Sequence, residues 1–140
     1  MTWHGWPLER MLFLFLGLAY LLMWLQTTLL HWRAAFRSKF MYGPVILSPL
    51  VALAALLYAG SGGATLGTMM VIGFALASVS GLAGTFFHFR GVALMVGGFT
   101  LRNLAMGPPP ILPILYMALG ILGLLIYYWP TLTAGQAVAA

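Results

Sequence analysis

Residues 11–30 read MLFLFLGLAYLLMWLQTTLL and contain no charged side chain. An α-helix rises ~1.5 Å per residue, so about 20 apolar residues cross the ~30 Å hydrocarbon layer of a bilayer. This stretch is therefore predicted to form a membrane-spanning helix. Three later stretches share its apolar character and are predicted to span the membrane too: Gly43–Ala59, Leu66–Phe87 and Pro110–Trp129. None of the four alternates polar and apolar residues, so the pattern predicts an all-α integral membrane protein and disfavours a β-barrel.

The second span is the shortest, and the position of its first helical turn decides whether it crosses the bilayer. Pro49 preceded by Ser48 is a typical helix start, and a helix beginning there would be too short to cross and would be re-entrant. The apolar run is unbroken from Val45, however, and this favours a complete crossing.

The composition of the 140-residue chain agrees with a membrane location. Hydrophobic residues make up 63% and charged residues 5%, whereas soluble domains carry roughly 25% charged residues. The net charge of +5 arises because Glu9 is the single acidic residue, not because basic residues are dense. Binding to nucleic acid is therefore disfavoured, and no soluble partner is evident. The chain has no cysteine, which excludes disulfides and thiol catalysis.

Charge in the segments between the spans predicts the orientation. HWRAAFRSKFMY (residues 31–42) carries three basic residues and HFRGVALMVGGFTLRNLAM (88–106) carries two, whereas GSGGAT (60–65) carries none. Positively charged loops stay in the cytoplasm. We therefore predict that both basic segments lie inside and that both termini lie outside.

The two halves of the chain resemble each other, which predicts a duplicated helical hairpin. TTLLHWRAAF (27–36) matches GTFFHFRGVA (84–93), and GPVILSP (43–49) matches GPPPILP (107–113), each pair at a constant offset. The hairpins cover about residues 8–60 and 65–130 of a single transmembrane domain, and a short polar tail follows over 131–140. Both halves start outside, so the repeat is parallel, with its axis along the membrane normal.

His31 and His88 are the residues best suited to hold a cofactor. They occupy equivalent positions of the repeat, each near the cytoplasmic end of a span. Two such imidazoles are suited to ligating one b-type haem from opposite faces, and either alone suits the magnesium of a chlorophyll. The alternative is an interfacial role, in which each ring bonds to helix-end carbonyls or to lipid headgroups.

Polar residues beside the spans are predicted to contact lipid or a partner. The basic ones are expected to set the orientation and to bind anionic lipid: Arg33, Arg37, Lys39, Arg90 and Arg102. A specific role of Arg33 with Arg90, such as binding a partner's carboxylate, is the alternative. Asn103 is expected either to cap the turn into Met106–Gly107–Pro108 or to order the longer loop.

Small residues recur along one face of the third span: Gly73, Ala77, Gly81 and Gly84. Such a face lets neighbouring helices approach closely. We therefore expect the third span at the centre of the bundle. The first span is rich in bulky side chains and is expected at the periphery.

A group of residues in the second half resembles a motif found in small four-helix bacterial inner-membrane proteins of unassigned function: His88-Phe89-Arg90-Gly91, Gly97-Gly98-Phe99, Asn103 and Met106-Gly107-Pro108-Pro109. The resemblance covers about 40 residues. It implies a location in the bacterial cytoplasmic membrane, but no activity and no catalytic residue.

The residue inventory favours a non-catalytic role. One carboxylate cannot provide an acid pair, a serine triad or a di-metal site, so no enzymatic activity is expected. We expect an accessory or structural subunit of a larger membrane complex, with energy-converting complexes among the candidates and other membrane subunits as partners. The alternatives are a haem- or chlorophyll-binding electron-transfer or light-harvesting subunit, and a small oligomeric transporter or channel using Glu9. A proton-coupled role for Glu9 is disfavoured because it precedes the first span beside Arg10, where an interfacial ion pair or a first-turn acid is expected.

Overall fold

The computed structural model describes residues 3–137, and this range is helical almost throughout. Its α-helices are α1 (Leu8–Arg33), α2 (Tyr42–Ser61), α3 (Ala64–Val96), α4 (Leu101–Met106) and α5 (Ile111–Ala137). A short 3-10 helix, Lys39–Met41, leads into α2. The helices α1, α2, α3 and α5 are long and apolar enough to cross a membrane. The chain is therefore an all-α, four-helix membrane protein.

The four long helices form a ring in which each packs against two neighbours. α1 lies against α2 and α5, and α3 lies against the same two helices. Phe13, Leu16 and Tyr20 of α1 are almost completely buried in the common core. The expectation of a central third span and a peripheral first span is therefore wrong, because no helix of a ring is central and α1 contributes bulky side chains to the middle as well as exposed ones such as Phe15 and Leu22.

The two ends of the ring differ in how well they are packed. At the end where α2 joins α3, here called the far end, aromatic rings fill the centre. The rings of Tyr20 and Phe74 lie 5.9 Å apart, and those of Phe13 and Tyr58 lie 5.3 Å apart. The other end, where α1 and α3 finish and α2 and α5 begin, is here called the basic end. Its inward positions carry smaller side chains, so the ring is open there.

α2 is one continuous helix, so the re-entrant alternative is wrong. The helix begins at Tyr42, well before Pro49. Proline removes one helical N–H and crowds the preceding turn, yet α2 continues through Pro49 to Ser61. Just before Pro49, the buried Ser48 hydroxyl donates to the Pro44 carbonyl within the same helix.

α3 runs nine residues beyond its predicted end at Phe87. It stops where Gly97 adopts a φ of 83°, in a region that side-chain-bearing residues rarely enter. The segment predicted as a long loop is therefore largely helical. His88 and Arg90 lie inside α3, and Leu101–Met106 forms α4.

α5 also extends further than predicted. It continues through Pro130 to Ala137, so the part of the predicted polar tail from residue 131 to Ala137 is helical. Residues 138–140 of that tail lie outside the described range.

Arg10 fastens the start of the chain to the far end of α2. Its guanidinium donates to the carbonyls of Ala59 at 2.7 Å, Gly60 at 3.0 Å and Gly5 at 2.6 Å. The last carbonyls of a helix lack partners within the helix, so they are ready acceptors for a cation. The expected ion pair between Glu9 and Arg10 does not form, and Glu9 is a first-turn acid of α1.

Candidate binding site at the basic end

A cavity of about 1110 Å³ opens between the helices at the basic end. Its walls come from the last turns of α1, the link into α2, the second half of α3 and the start of α5. Tyr116 lines it and also belongs to the packed core, so the aromatic side chain of Tyr116 separates the cavity from the packed half of the bundle. We call this space the basic cavity, and the polar side chains that define it are Arg33, Arg37, Lys39, Arg90, His31 and His88.

The cavity exists because the residues facing it from α2 and α3 are small. Gly43, Ser80 and Ala83 line it. A Cβ atom added at Gly43 would meet nothing closer than Ser80 Oγ, at 3.9 Å. At the far end the same test gives a clash, since a Cβ on Gly123 would lie 2.5 Å from the ring of Phe74. Gly43 therefore leaves space in the cavity, whereas Gly123 permits tight packing against Phe74.

The charge of the cavity is positive and is not balanced by the protein. Arg33 comes from α1, Arg37 and Lys39 from the link, and Arg90 from α3. Glu9, the single acid of the sequence, lies at the far end, so the described lining contains no carboxylate. The four basic residues are themselves exposed, and cations gathered around one space repel one another and favour an anion between them.

The remaining walls are apolar. Leu30, Phe87, Leu94 and Met95 line the cavity. Phe40, on the link into α2, stacks on Phe87 of α3 with ring centroids 4.5 Å apart. The cavity thus combines cationic side chains with hydrocarbon walls, as suits a ligand with an anionic head and an apolar body.

His88 is held by a carbonyl that the helix itself cannot use. Its Nδ1 lies 2.9 Å from the Pro109 carbonyl oxygen. Pro109 precedes α5, and the first backbone bond into that helix runs from the Ile114 N–H to the Pro110 carbonyl, so the Pro109 carbonyl is left for the His88 ring. Since a carbonyl can only accept, Nδ1 carries the hydrogen, and Nε2 of the neutral ring keeps its lone pair.

His31 lies on the opposite wall and lacks such a partner. Its ring is half-buried, and among residues 3–137 no hydrogen-bond partner is found for its buried Nδ1. Phe36 lies beside it, with ring centroids 6.2 Å apart. The structure therefore brings both predicted histidines to one cavity, and the Pro109 carbonyl fixes the ring of His88.

Two of the predicted polar residues lie away from the cavity lining. Arg102 is exposed on α4 and is not part of the lining. Asn103 orders the loop, because its Nδ2 donates to the Gly98 carbonyl at 3.0 Å. Thr100 caps the start of α4, where its hydroxyl oxygen accepts the backbone N–H of Asn103 at 3.1 Å. In the turn at the end of α4 the Asn103 backbone carbonyl accepts the Gly107 N–H at 2.8 Å.

The small residues of α3 pack toward two different helices. A Cβ on Gly73 would lie 3.3 Å from Val51 of α2. A Cβ on Gly81 would lie 2.6 Å from the backbone nitrogen of Met117 in α5. Gly84 follows on the α5 side and Ala77 is buried in the core between them. This face therefore sets the spacing of both neighbours of α3.

Sequence reasoning missed the residues that shape and orient the site. The Pro109 carbonyl that holds His88 lies 21 residues further along the chain, so no local pattern indicates that contact. The stacked rings of Phe40 and Phe87 come from two segments far apart in the chain, so no local sequence pattern predicts the contact.

Comparison of the chain with protein-family models, curated proteins and solved structures finds no match.

Proposed function

We propose that this protein is a non-catalytic accessory subunit of a larger membrane assembly, and that it binds an anionic, partly apolar ligand in the basic cavity. The observation that carries the proposal is the unbalanced charge of that cavity, where four cations face no carboxylate of the described chain. Their counter-charge has to come from outside the chain. A small bundle that presents such a site at one end is suited to holding a ligand or a partner.

The test is purification of the tagged protein in a mild detergent, with mass spectrometry of every retained protein. A stoichiometric membrane protein that is retained would support the accessory role. Recovery of the chain alone or as a homo-oligomer would contradict it. An Arg102→Gln variant serves as the charge control, because this arginine lies outside the cavity.

A second candidate function is the binding of a tetrapyrrole, b-type haem or chlorophyll, and the geometry of His88 favours it. Histidines that ligate a metal commonly donate their other ring N–H to a carbonyl or carboxylate. His88 does so through Pro109, and His31 lines the same cavity. Cationic side chains nearby would suit carboxylate substituents of a tetrapyrrole.

The absorption spectrum of the purified protein tests this candidate. A bound tetrapyrrole gives a visible band that His88→Ala and His31→Ala remove, while His4→Ala, at the exposed start of the chain, keeps it. A colourless wild-type protein purified from cells that make the pigment would contradict it.

The orientation and the duplication are part of the same proposal. We propose that the protein lies in the bacterial cytoplasmic membrane with its basic end in the cytoplasm and both termini outside. The duplicated-hairpin proposal is supported by matched residues that line one cavity, since Gly43 and Gly107 both do so, as do Arg33 and Arg90.

A further inference from the structure

We infer that the basic cavity is a specific site for an anionic phospholipid whose headgroup carries two phosphates. The headgroup is held between Arg33 of α1 and Arg90 of α3. This inference rests on the proposed function, because it names the chemical class of the ligand that the basic cavity binds.

The first step of the argument is the placement of the two arginines. α1 and α3 occupy opposite corners of the ring, each packing on α2 and α5. Arg33 and Arg90 both line the cavity, both are exposed, and within the described range neither guanidinium group takes part in a hydrogen bond. A headgroup between them meets a planar guanidinium from either side, and such groups bind phosphate oxygens two at a time.

The second step is the number of charges. Arg37 and Lys39 add two more cations to the same lining. A headgroup with a single phosphate would leave most of this charge unneutralised. A headgroup with two phosphates matches it better, and basic pockets between membrane helices at the cytoplasmic side are suited to such lipids.

The third step distinguishes a lipid from a free anion. At about 1110 Å³ the cavity exceeds the upper range of ordinary small-molecule pockets, roughly 1,000 Å³. Leu94 and Met95 line it and are 70% and 58% exposed. Acyl chains can follow these side chains from the cavity into the bilayer, whereas inorganic phosphate has no use for them.

The experiment is native mass spectrometry of the detergent-solubilised full chain, titrated with three lipids of equal acyl length. These are cardiolipin, with two phosphates, phosphatidylglycerol, with one net negative charge, and phosphatidylethanolamine, which is zwitterionic. We expect one cardiolipin per chain, bound at least tenfold more tightly than either other lipid. Arg33→Gln and Arg90→Gln should each weaken cardiolipin binding at least tenfold, while Arg102→Gln should change it less than twofold.

A second pair of variants tests the site by volume instead of charge. Gly43→Phe places a ring in the cavity, where the nearest atom to the new Cβ lies 3.9 Å away, and should abolish the cardiolipin adduct. Gly60→Phe is the matched control on the same helix, since a Cβ there meets nothing within 4 Å and the position lies at the far end. It should leave binding unchanged.

Three outcomes would overturn the inference. These are equal binding of all three lipids, equal weakening by Arg102→Gln and Arg90→Gln, and displacement of the lipid by millimolar inorganic pyrophosphate, which would indicate a free-anion site. The accessory role is tested separately, by the retention of a partner protein during purification. A chain that binds cardiolipin but retains no partner protein keeps this inference and loses the accessory role, and the converse result does the reverse.

Discussion

Two consecutive residues that carry side chains adopt left-handed backbone at the end of α1. Ala35 has a φ of 54° and Phe36 a φ of 46°. The Phe36 N–H donates to the His31 carbonyl at 3.0 Å and closes the helix. Glycine usually takes such a position, because a Cβ there costs roughly 1–2 kcal/mol. The reversal carries Arg37 and Lys39 back to the cavity.

Replacing Ala35 by glycine should relieve this strain. We expect Ala35→Gly to raise the free energy of unfolding by about 0.5–1 kcal/mol, since part of the gain is offset by the greater freedom of glycine in the unfolded chain. Thermal unfolding in detergent, followed by circular dichroism, measures it. Ala75→Gly, at an exposed position inside α3, should instead lower stability by about 1 kcal/mol. Changes of equal sign in both variants would refute the strain.

The backbones of α3 and α5 lie close together at Gly81, so this contact between helices leaves no room for a side chain. Gly81→Leu would place a side chain where even a Cβ lies 2.6 Å from the Met117 backbone. We expect a loss of at least about 1–3 kcal/mol, because two backbones would have to separate. Gly60→Leu is the control with open space around it. A Gly81→Leu protein with wild-type yield and melting temperature would contradict this packing.

Hydrogen bonds from Arg10 attach the start of the chain to the end of α2. Arg10→Gln removes the charged donor of three carbonyl hydrogen bonds, two of them at the end of α2. Bonds to a charged donor contribute roughly 1.5–3 kcal/mol when buried, and these are partly exposed, so we expect a loss of about 1–2 kcal/mol.

Thermal unfolding also measures this effect, and Arg102→Gln, an exposed arginine without such bonds, should melt like the wild type. Equal melting of the Arg10→Gln protein would show that the three bonds add nothing to stability.

The number and order of spanning helices were predictable from hydropathy, but their ends were not. α3 continues past Phe87 because nothing in the next nine residues breaks a helix until Gly97. A polar pair such as His88 and Arg90 marks the edge of an apolar run and not the end of a helix. Hydropathy reports which residues tolerate hydrocarbon, whereas helix ends depend on backbone conformation and caps.

For the whole molecule, the orientation across the membrane is open to a direct test because the chain has no cysteine. Ser61→Cys lies at the far end and Ser38→Cys between two basic residues at the other end. In intact bacterial cells an impermeant maleimide should label Ser61→Cys alone, and Ser38→Cys should react after permeabilisation. The opposite pattern would reverse the proposed orientation.

The candidate site was partly predictable at this scale as well. The sequence indicated His31, His88, Arg33 and Arg90 as a related set, and the structure gathers them around one cavity. The cavity itself was not predictable, because it depends on which helices are neighbours. A ring with α1 facing α3 across its centre follows from tertiary packing, which no local pattern specifies.

The unequal lengths of α2 and α3 decide how the protein meets bilayers of different thickness. At ~1.5 Å per residue, the 20 residues of α2 span about 30 Å and the 33 residues of α3 about 50 Å. Gly62 and Gly63 join the two helices at the far end, so the additional length of α3 extends beyond α2 at the basic end. The leaflet at the basic end therefore adapts to a mismatch between bilayer thickness and helix length, whereas the helix ends in the leaflet at the far end stay at one level. Thickening or thinning the membrane should move lipid along the wall of the basic cavity and leave the aromatic core untouched.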